Sequence, residues 1–184
     1  MSEAKNVTVG KPKAGGAVFV GAAGSTLPTT ADAKLDAAFK EIGYLSEDGI
    51  TNSNSPETDN IKAWGGDVVA TTQSEKPDTS KLPLIETLKS EVLKVVYGDD
   101  NVTVGEDGAV SIKANNAEAE AHAWVFDMIL KDGALKRIVI PQGKISEIGD
   151  ITYNDSDLVG YEVTITCVVD DSGNTHYEYI KPAA

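Results

Sequence analysis

Apolar positions fall into short, separated groups, and their spacing divides the chain into one clear helix and many strands. Ala17-Val18-Phe19-Val20 predicts a short strand, followed by a loop over Gly21 to Thr30. Over residues 31–42, Leu35, Phe39 and Ile42 stand three or four apart, which predicts a short helix. Asp32 near its start would suit the helix dipole. Tyr44-Leu45-Ser46 reads as strand and Glu47-Asp48-Gly49 as a turn. Leu82 to Glu86 is a short apolar segment broken by Pro83, a sheet-edge pattern. The clearest helix is predicted over about 87–97. Leu88, Val92, Val95 and Val96 share its face, and Gly98 stands where a left-handed C-terminal cap belongs.

The rest alternates with period two. Val102 to Val104 and Ala109 to Lys113 flank Asp107-Gly108, and His122 to Lys131 and Leu135 to Ile140 flank Asp132-Gly133. Asp-Gly between apolar runs is a strong hairpin signal, because both residues tolerate positive φ. Trp124, Phe126, Met128 and Leu130 fall on one face of a long strand. Residues 157–169 predict another, with Tyr161, Val163, Ile165, Cys167 and Val169 on one side and Glu162, Thr164 and Thr166 on the other. A turn at Asp171-Ser172-Gly173-Asn174 leads into a last strand from His176 to Ile180. One packed helix among many short antiparallel strands predicts a mainly β (α+β) fold, a sandwich or partly closed barrel.

One stretch resists this pattern. Residues 50–80 are rich in Asn, Ser, Thr, Asp and Gly, yet Ile61, Trp64, Val68 and Val69 punctuate them. A structureless stretch of that length is uncommon in a compact domain and is usually functional or ordered by a partner. An extended hairpin turning near Asn54-Ser55-Pro56 or at Gly65-Gly66 is the other reading. Residues 1–16 read as a polar N-terminal arm, 17–180 as one domain with a long loop at 47–80, and 181–184 as a C-terminal tail.

Composition narrows function mainly by exclusion. With 16 Lys+Arg against 29 Asp+Glu, the formal charge is −13, the wrong sign for gripping nucleic-acid phosphates. The single arginine, Arg137, makes forked anion clamps scarce. A lone cysteine, Cys167, forbids an internal disulfide or a thiolate zinc cluster, and its apolar strand face favours a buried, inert thiol. The polar start shows no signal core, and no apolar run is long enough to span a membrane.

Candidate chemistry is thin. His122 and His176 begin strands with no other ligand type nearby, so ordinary strand residues are the better reading. Asp99-Asp100-Asn101 and Asp155-Ser156-Asp157 are oxygen-rich but lack the EF-hand order, and turns suit them better than calcium. Gly21-Ala22-Ala23-Gly24-Ser25-Thr26 lacks the lysine of a phosphate loop, and no Gly-x-Ser-x-Gly elbow is present. No catalytic residue, metal ligand or cofactor-binding residue is nominated, and no cofactor is expected.

An ordered set of segments resembles the tail tube (major tail) proteins of long, non-contractile-tailed bacteriophages. They are Gly43-Tyr44-Leu45-Ser46-Glu47-Asp48-Gly49-Ile50, Lys62-Ala63-Trp64-Gly65-Gly66, Leu84-Ile85-Glu86 and Val95-Val96-Tyr97-Gly98-Asp99-Asp100-Asn101-Val102. Arg137-Ile138-Val139-Ile140-Pro141, Gly143-Lys144-Ile145 and Gly160-Tyr161-Glu162 complete the set. The resemblance implies a structural virion protein, made in the host cytoplasm, and no enzyme. Its copies would form hexameric rings, stacked into a hollow tube that passes double-stranded DNA without binding it specifically. Other phage tail proteins would meet the tube ends, and no membrane partner is expected. It implies a long loop or hairpin reaching the neighbouring ring, which in this chain is 47–80. Asp48, Ile61, Trp64, Gly65, Gly66, Val68 and Val69 are then the expected interface residues, with Trp64 as an anchor. Glu162, Thr164 and Thr166 are the expected lumen-lining residues, where acidity would repel the sliding duplex. The competing readings are a tail terminator, baseplate or decoration protein, and a carbohydrate-binding β-sandwich, for which Tyr177 and Tyr179 share a strand face. A hydrolase with an acidic dyad has no positive support.

Overall fold

The computed structural model describes residues 2–14 and 16–183; Met1, Gly15 and Ala184, which belong to the expected arm and tail, lie outside it. Among the described residues the strands are β1 (Lys11–Pro12), β2 (Val18–Ala22), β3 (Lys40–Glu41), β4 (Thr51–Asn54), β5 (Glu57–Lys62), β6 (Val68–Glu75) and β7 (Asp78–Leu84). The helix α1 (Ser90–Tyr97) precedes β8 (Val102–Val104), β9 (Val110–Ile112), β10 (Ala121–Ile129), β11 (Leu135–Ile148), β12 (Tyr161–Val168) and β13 (Tyr177–Lys181).

Nine strands form one antiparallel sheet in the order β3-β2-β10-β11-β12-β7-β4. β1 continues β2 along the same edge of β10, and β13 continues β12 along β11. The sheet does not close into a barrel, so the fold is a sandwich-like α+β architecture.

Alternation places two apolar layers on opposite faces of this sheet. On one face, Val20, Trp124 and Ile140 form a cross-strand rung, and Val18, Phe126 and Ile138 form the next. Leu82, Leu84, Val163 and Ile165 continue this layer, and α1 covers it with Val92, Leu93 and Val96. Tyr97 meets Tyr161 edge to face at 5.8 Å between ring centroids. On the other face, Phe19, Val125, Val139 and Tyr177 form a rung, covered by Leu27, Leu35 and Phe39 of the 22–39 loop.

Both Asp-Gly turns form the expected hairpins, β8–β9 and β10–β11, with Asp132 and Gly133 at φ 63° and 85°. The helix expected over 31–42 is absent; the segment is turns and loop ending in β3. Asp and Thr side chains hold those turns, with Ala33 N donating to Thr30 Oγ1 and Ala38 N to Asp36 Oδ1, bonds that compete with helix formation. Its apolar spacing serves two layers instead: Leu35 and Phe39 pack on one face and Ile42 on the other. Helix α1 starts three residues later than expected, so Leu88 is outside it and exposed, while Leu93 takes a buried place. Its end is as expected, with Gly98 at φ 93° donating its N–H to Lys94 O. β12 begins only at Tyr161, and Val169 lies beyond it in solvent.

Candidate assembly interface

Residues 51–84 fold into one long hairpin in two parts. Its root, β4 against β7, belongs to the main sheet. Its tip, β5 against β6, is a separate two-stranded ribbon. Pro56 and Pro77 stand in the breaks between the two parts, on opposite strands. Proline has no N–H to give a ladder, which explains why pairing stops there. Every residue from Thr51 to Pro77 is exposed.

The tip gathers most of the expected interface residues. Gly65 and Gly66 turn the ribbon at φ 120° and 100°, with Ala63 N donating to Asp67 O at 2.8 Å. Nothing approaches either glycine within 4 Å, so their role here is the turn conformation. Trp64 is completely exposed, at 107% of its reference accessibility, and Ile61, Val68 and Val69 are each about half-exposed. Val68 lies opposite Lys62 across a bulge. Asp48 is not part of this group. It sits at the root in the Ser46–Gly49 turn, held by Ser46 Oγ at 3.0 Å.

The root is fastened from below by a cluster that sequence reading missed. Asp78 opens β7, is 2% exposed, and accepts hydrogen bonds from Asn52 Nδ2 at 2.9 Å and from Thr175 Oγ1. His176 Nδ1 lies 2.5 Å from its carboxylate. Burial alone would raise the Asp78 pKa; the hydrogen bonds from Thr175, Asn52 and His176 outweigh it and hold the pKa below the ordinary carboxylate value. The groups are 52, 78 and 175–176 in the sequence, and no local pattern joins them. His176 thus has a structural partner, and Cys167, buried nearby, has its thiol pushed up to about 12 chiefly by burial.

The expected lumen-facing residues share the second face of β12, beside β7 and the end of β11. Glu162 pairs with Lys81 Nζ at 2.7 Å, both about half-exposed. Thr166 Oγ1 donates to Ser146 Oγ at 2.9 Å, and Ser146 donates to the Thr164 carbonyl. Glu162 is exposed there and Thr164 and Thr166 are half-buried, and the Lys81 partner of Glu162 reduces the free negative charge of that face.

The other candidates stay dispersed. Among the described residues no three of His, Cys, Asp or Glu come together as a metal site. Asn154 Nδ2 donates to Asp157 Oδ2, and Asn154 Oδ1 accepts from the backbone N–H groups of Ser156 and Asp157, as in a turn. Tyr177 and Tyr179 stack with ring planes 2° apart, but they pack against the second core layer, and Tyr177 OH is tied to Asp170 Oδ2 at 2.6 Å. Among the described residues no helix is long and apolar enough to cross a membrane.

The body is a large antiparallel sheet with one packed helix, and a separate, mostly polar ribbon exposes Ile61, Trp64, Val68 and Val69. A family model described as phage tail tube protein matches residues 5–184, nearly the whole chain. The chain belongs to that family and has a structural role in the phage tail tube. No curated protein matches it.

Proposed function

We propose that this chain forms hexameric rings that stack into a hollow tube, and that the β5–β6 tip of each copy seats on a neighbouring copy. The carrying observation is that all residues from Thr51 to Pro77 are exposed, including Trp64 in full. A strand pair of this length is marginal alone in water and is normally stabilised by packing against something else. Trp64 supplies the anchor, Ile61, Val68 and Val69 its apolar surround, and the Gly65-Gly66 turn lets the tip stay narrow. Asp48 adds to the contact from the root.

The lumen reading rests on the polar face of β12. Glu162, Thr164 and Thr166 line the bore, and the acidic excess of the subunit keeps the DNA phosphates from adhering. The protein acts without catalysis or cofactor. It works in the virion after synthesis in the host cytoplasm, and it meets other tail proteins at the tube ends.

Negative-stain electron microscopy of wild-type protein and Trp64→Ala tests this. The wild type should form rods of uniform width. The variant should keep its thermal unfolding profile and fail to form long rods. Rods of normal length from Trp64→Ala would refute the anchoring role.

A further inference from the structure

The β5–β6 ribbon leaves the body at a joint that main-chain pairing does not hold. β4 is an edge strand paired only with β7, and their ladder ends at Asn54 opposite Asp78. On its other side β7 meets β12 only from Thr79 onward, so Asp78 has no partner on that strand. Beyond Asn54 and Asp78, residues 55–56 and 76–77 lie between the two ladders and belong to neither. β6 alone has eight residues and spans about 26 Å, so a rotation of about 10° at the joint would carry the tip about 5 Å sideways.

Side chains hold the joint instead. The Asp78 carboxylate is sealed immediately behind it and is reached from two directions. From β4, Asn52 Nδ2 donates to it at 2.9 Å and also to the Thr79 carbonyl at 3.0 Å. From the segment before β13 come Thr175 Oγ1 and His176 Nδ1. That segment is itself fixed at both ends. Asp170 Oδ1 accepts from the N–H groups of Ser172 and Asn174, Asp170 Oδ2 accepts from Tyr177 OH, and Tyr177 then enters β13 opposite Val139. One carboxylate thus ties the outgoing strand of the hairpin, the returning strand and a rigid turn of the body together.

None of the four residues belongs to either apolar layer. Their bonds converge on the last paired residue before the break, where they bear on the direction of the ribbon. A sealed carboxylate tolerates little displacement, because each donor lost leaves a desolvated oxygen unmatched.

We propose that Asn52, Asp78, Thr175 and His176 form a latch that fixes the angle at which the ribbon leaves the body, so that each subunit enters assembly with its tip already aimed. The link to assembly rests on the tube-forming role proposed above. Aiming the tip in advance removes an ordering cost from every addition to the tube.

The angle is measurable on dilute, unassembled full-length protein. Spin labels at Ala63→Cys on the tip and Lys131→Cys at the β10–β11 turn occupy exposed positions, and the buried Cys167 takes up little label. Their distance distribution should be narrow in the otherwise wild-type chain and broad with Thr175→Val. Without labels, Thr175→Val should lose about 2–4 °C in Tm, the effect of one buried hydrogen bond, yet grow tubes about tenfold more slowly by light scattering. Thr175→Ser should restore both the narrow distribution and the growth. Asn52→Ala, at an exposed edge position, repeats the test from the other strand and serves if Thr175→Val does not fold. A narrow distribution in both variants would overturn the latch and leave the tube reading intact. A broad distribution with wild-type growth would overturn its part in assembly. If the wild type forms no tubes, the tube reading fails, and the distance distributions still decide the latch.

Discussion

The backbone carbonyl of Gly143 accepts a 3.1 Å hydrogen bond from the indole Nε1 of Trp124, and the absence of a side chain on Gly143 is what lets the indole lie there. A Cβ at residue 143 would stand 2.6 Å from Trp124 Cδ1 and 2.7 Å from Ile165 Cγ2. The register of β10 against β11 slips between His122 and Trp124, beside Gly143, and on its other edge β11 passes from pairing with β13 to pairing with β12 near the same place.

Gly143→Ala should therefore destabilise the domain by overpacking, by about 1–3 kcal/mol. For a domain of this size each kcal/mol lowers Tm by about 2–4 °C. Calorimetry that shows an unchanged Tm would contradict the packing described.

Arg137 and Asp127 face each other across the β10–β11 hairpin and are both nearly sealed from solvent. Arg137 Nε and Nη2 donate to the two carboxylate oxygens at 2.6 and 2.7 Å, and Nη1 donates to the carbonyls of Thr30 and Ala33. Lys13 adds a third contact to Asp127 at 3.2 Å. Removing one partner leaves a buried charge unmatched, so Asp127→Ala should cost about 3–5 kcal/mol in urea unfolding. Arg137→Lys should also destabilise, since an ammonium cannot span the same acceptors. Asp127→Leu with Arg137→Met should recover much of the loss.

Asp78 gives the root of the hairpin a pH dependence. Its folded pKa is depressed below the unfolded value of about 3.9, so its contribution is fully present above that value. It is lost as the pH falls through the folded pKa, because the protonated acid binds Thr175, Asn52 and His176 less well. Stability measured by denaturant titration should fall below about pH 4. Asp78→Asn should be less stable at neutral pH and show a shallower acid slope; an identical slope would exclude Asp78 as its source.

Cys167 should resist thiol reagents at neutral pH while the protein is folded, since burial drives its thiol up to about 12. Full reactivity should appear only on adding denaturant. Rapid labelling of native protein would show that β12 opens.

Assembly should improve with salt. Subunits of charge −13 approach against mutual repulsion, and raising salt to about 1 M shortens the screening length from tens of ångströms to about 3 Å. Light scattering that rises as salt is removed would contradict this balance.

Much of the fold was legible because local signals agreed with it. Asp107-Gly108 and Asp132-Gly133 mark real hairpins, and the alternation through Trp124-Phe126 and Tyr161-Val163-Ile165-Cys167 faces one core. The Asp127–Arg137 pair was also within reach, since residues equidistant from a hairpin turn at Asp132 must face each other. The segment 31–42 misled because its apolar spacing came from contacts with two separate layers. The Asp78 cluster left no trace, because it joins residues nearly a hundred positions apart. Among the interface candidates, the exposure of the tip around Trp64 was readable from apolar residues stranded in a polar stretch, while Asp48 stands apart from the tip in the Ser46–Gly49 turn.

The two prolines at the joint of the hairpin, Pro56 and Pro77, divide what holds the domain together from what does not, as well as its ladder. Inside them, substitutions answer to the domain's own core. Beyond them, none of the described residues of the tip belongs to that core. The ribbon is thus a cassette: replaced between those prolines by a short turn, it should leave the folding of the remaining domain untouched.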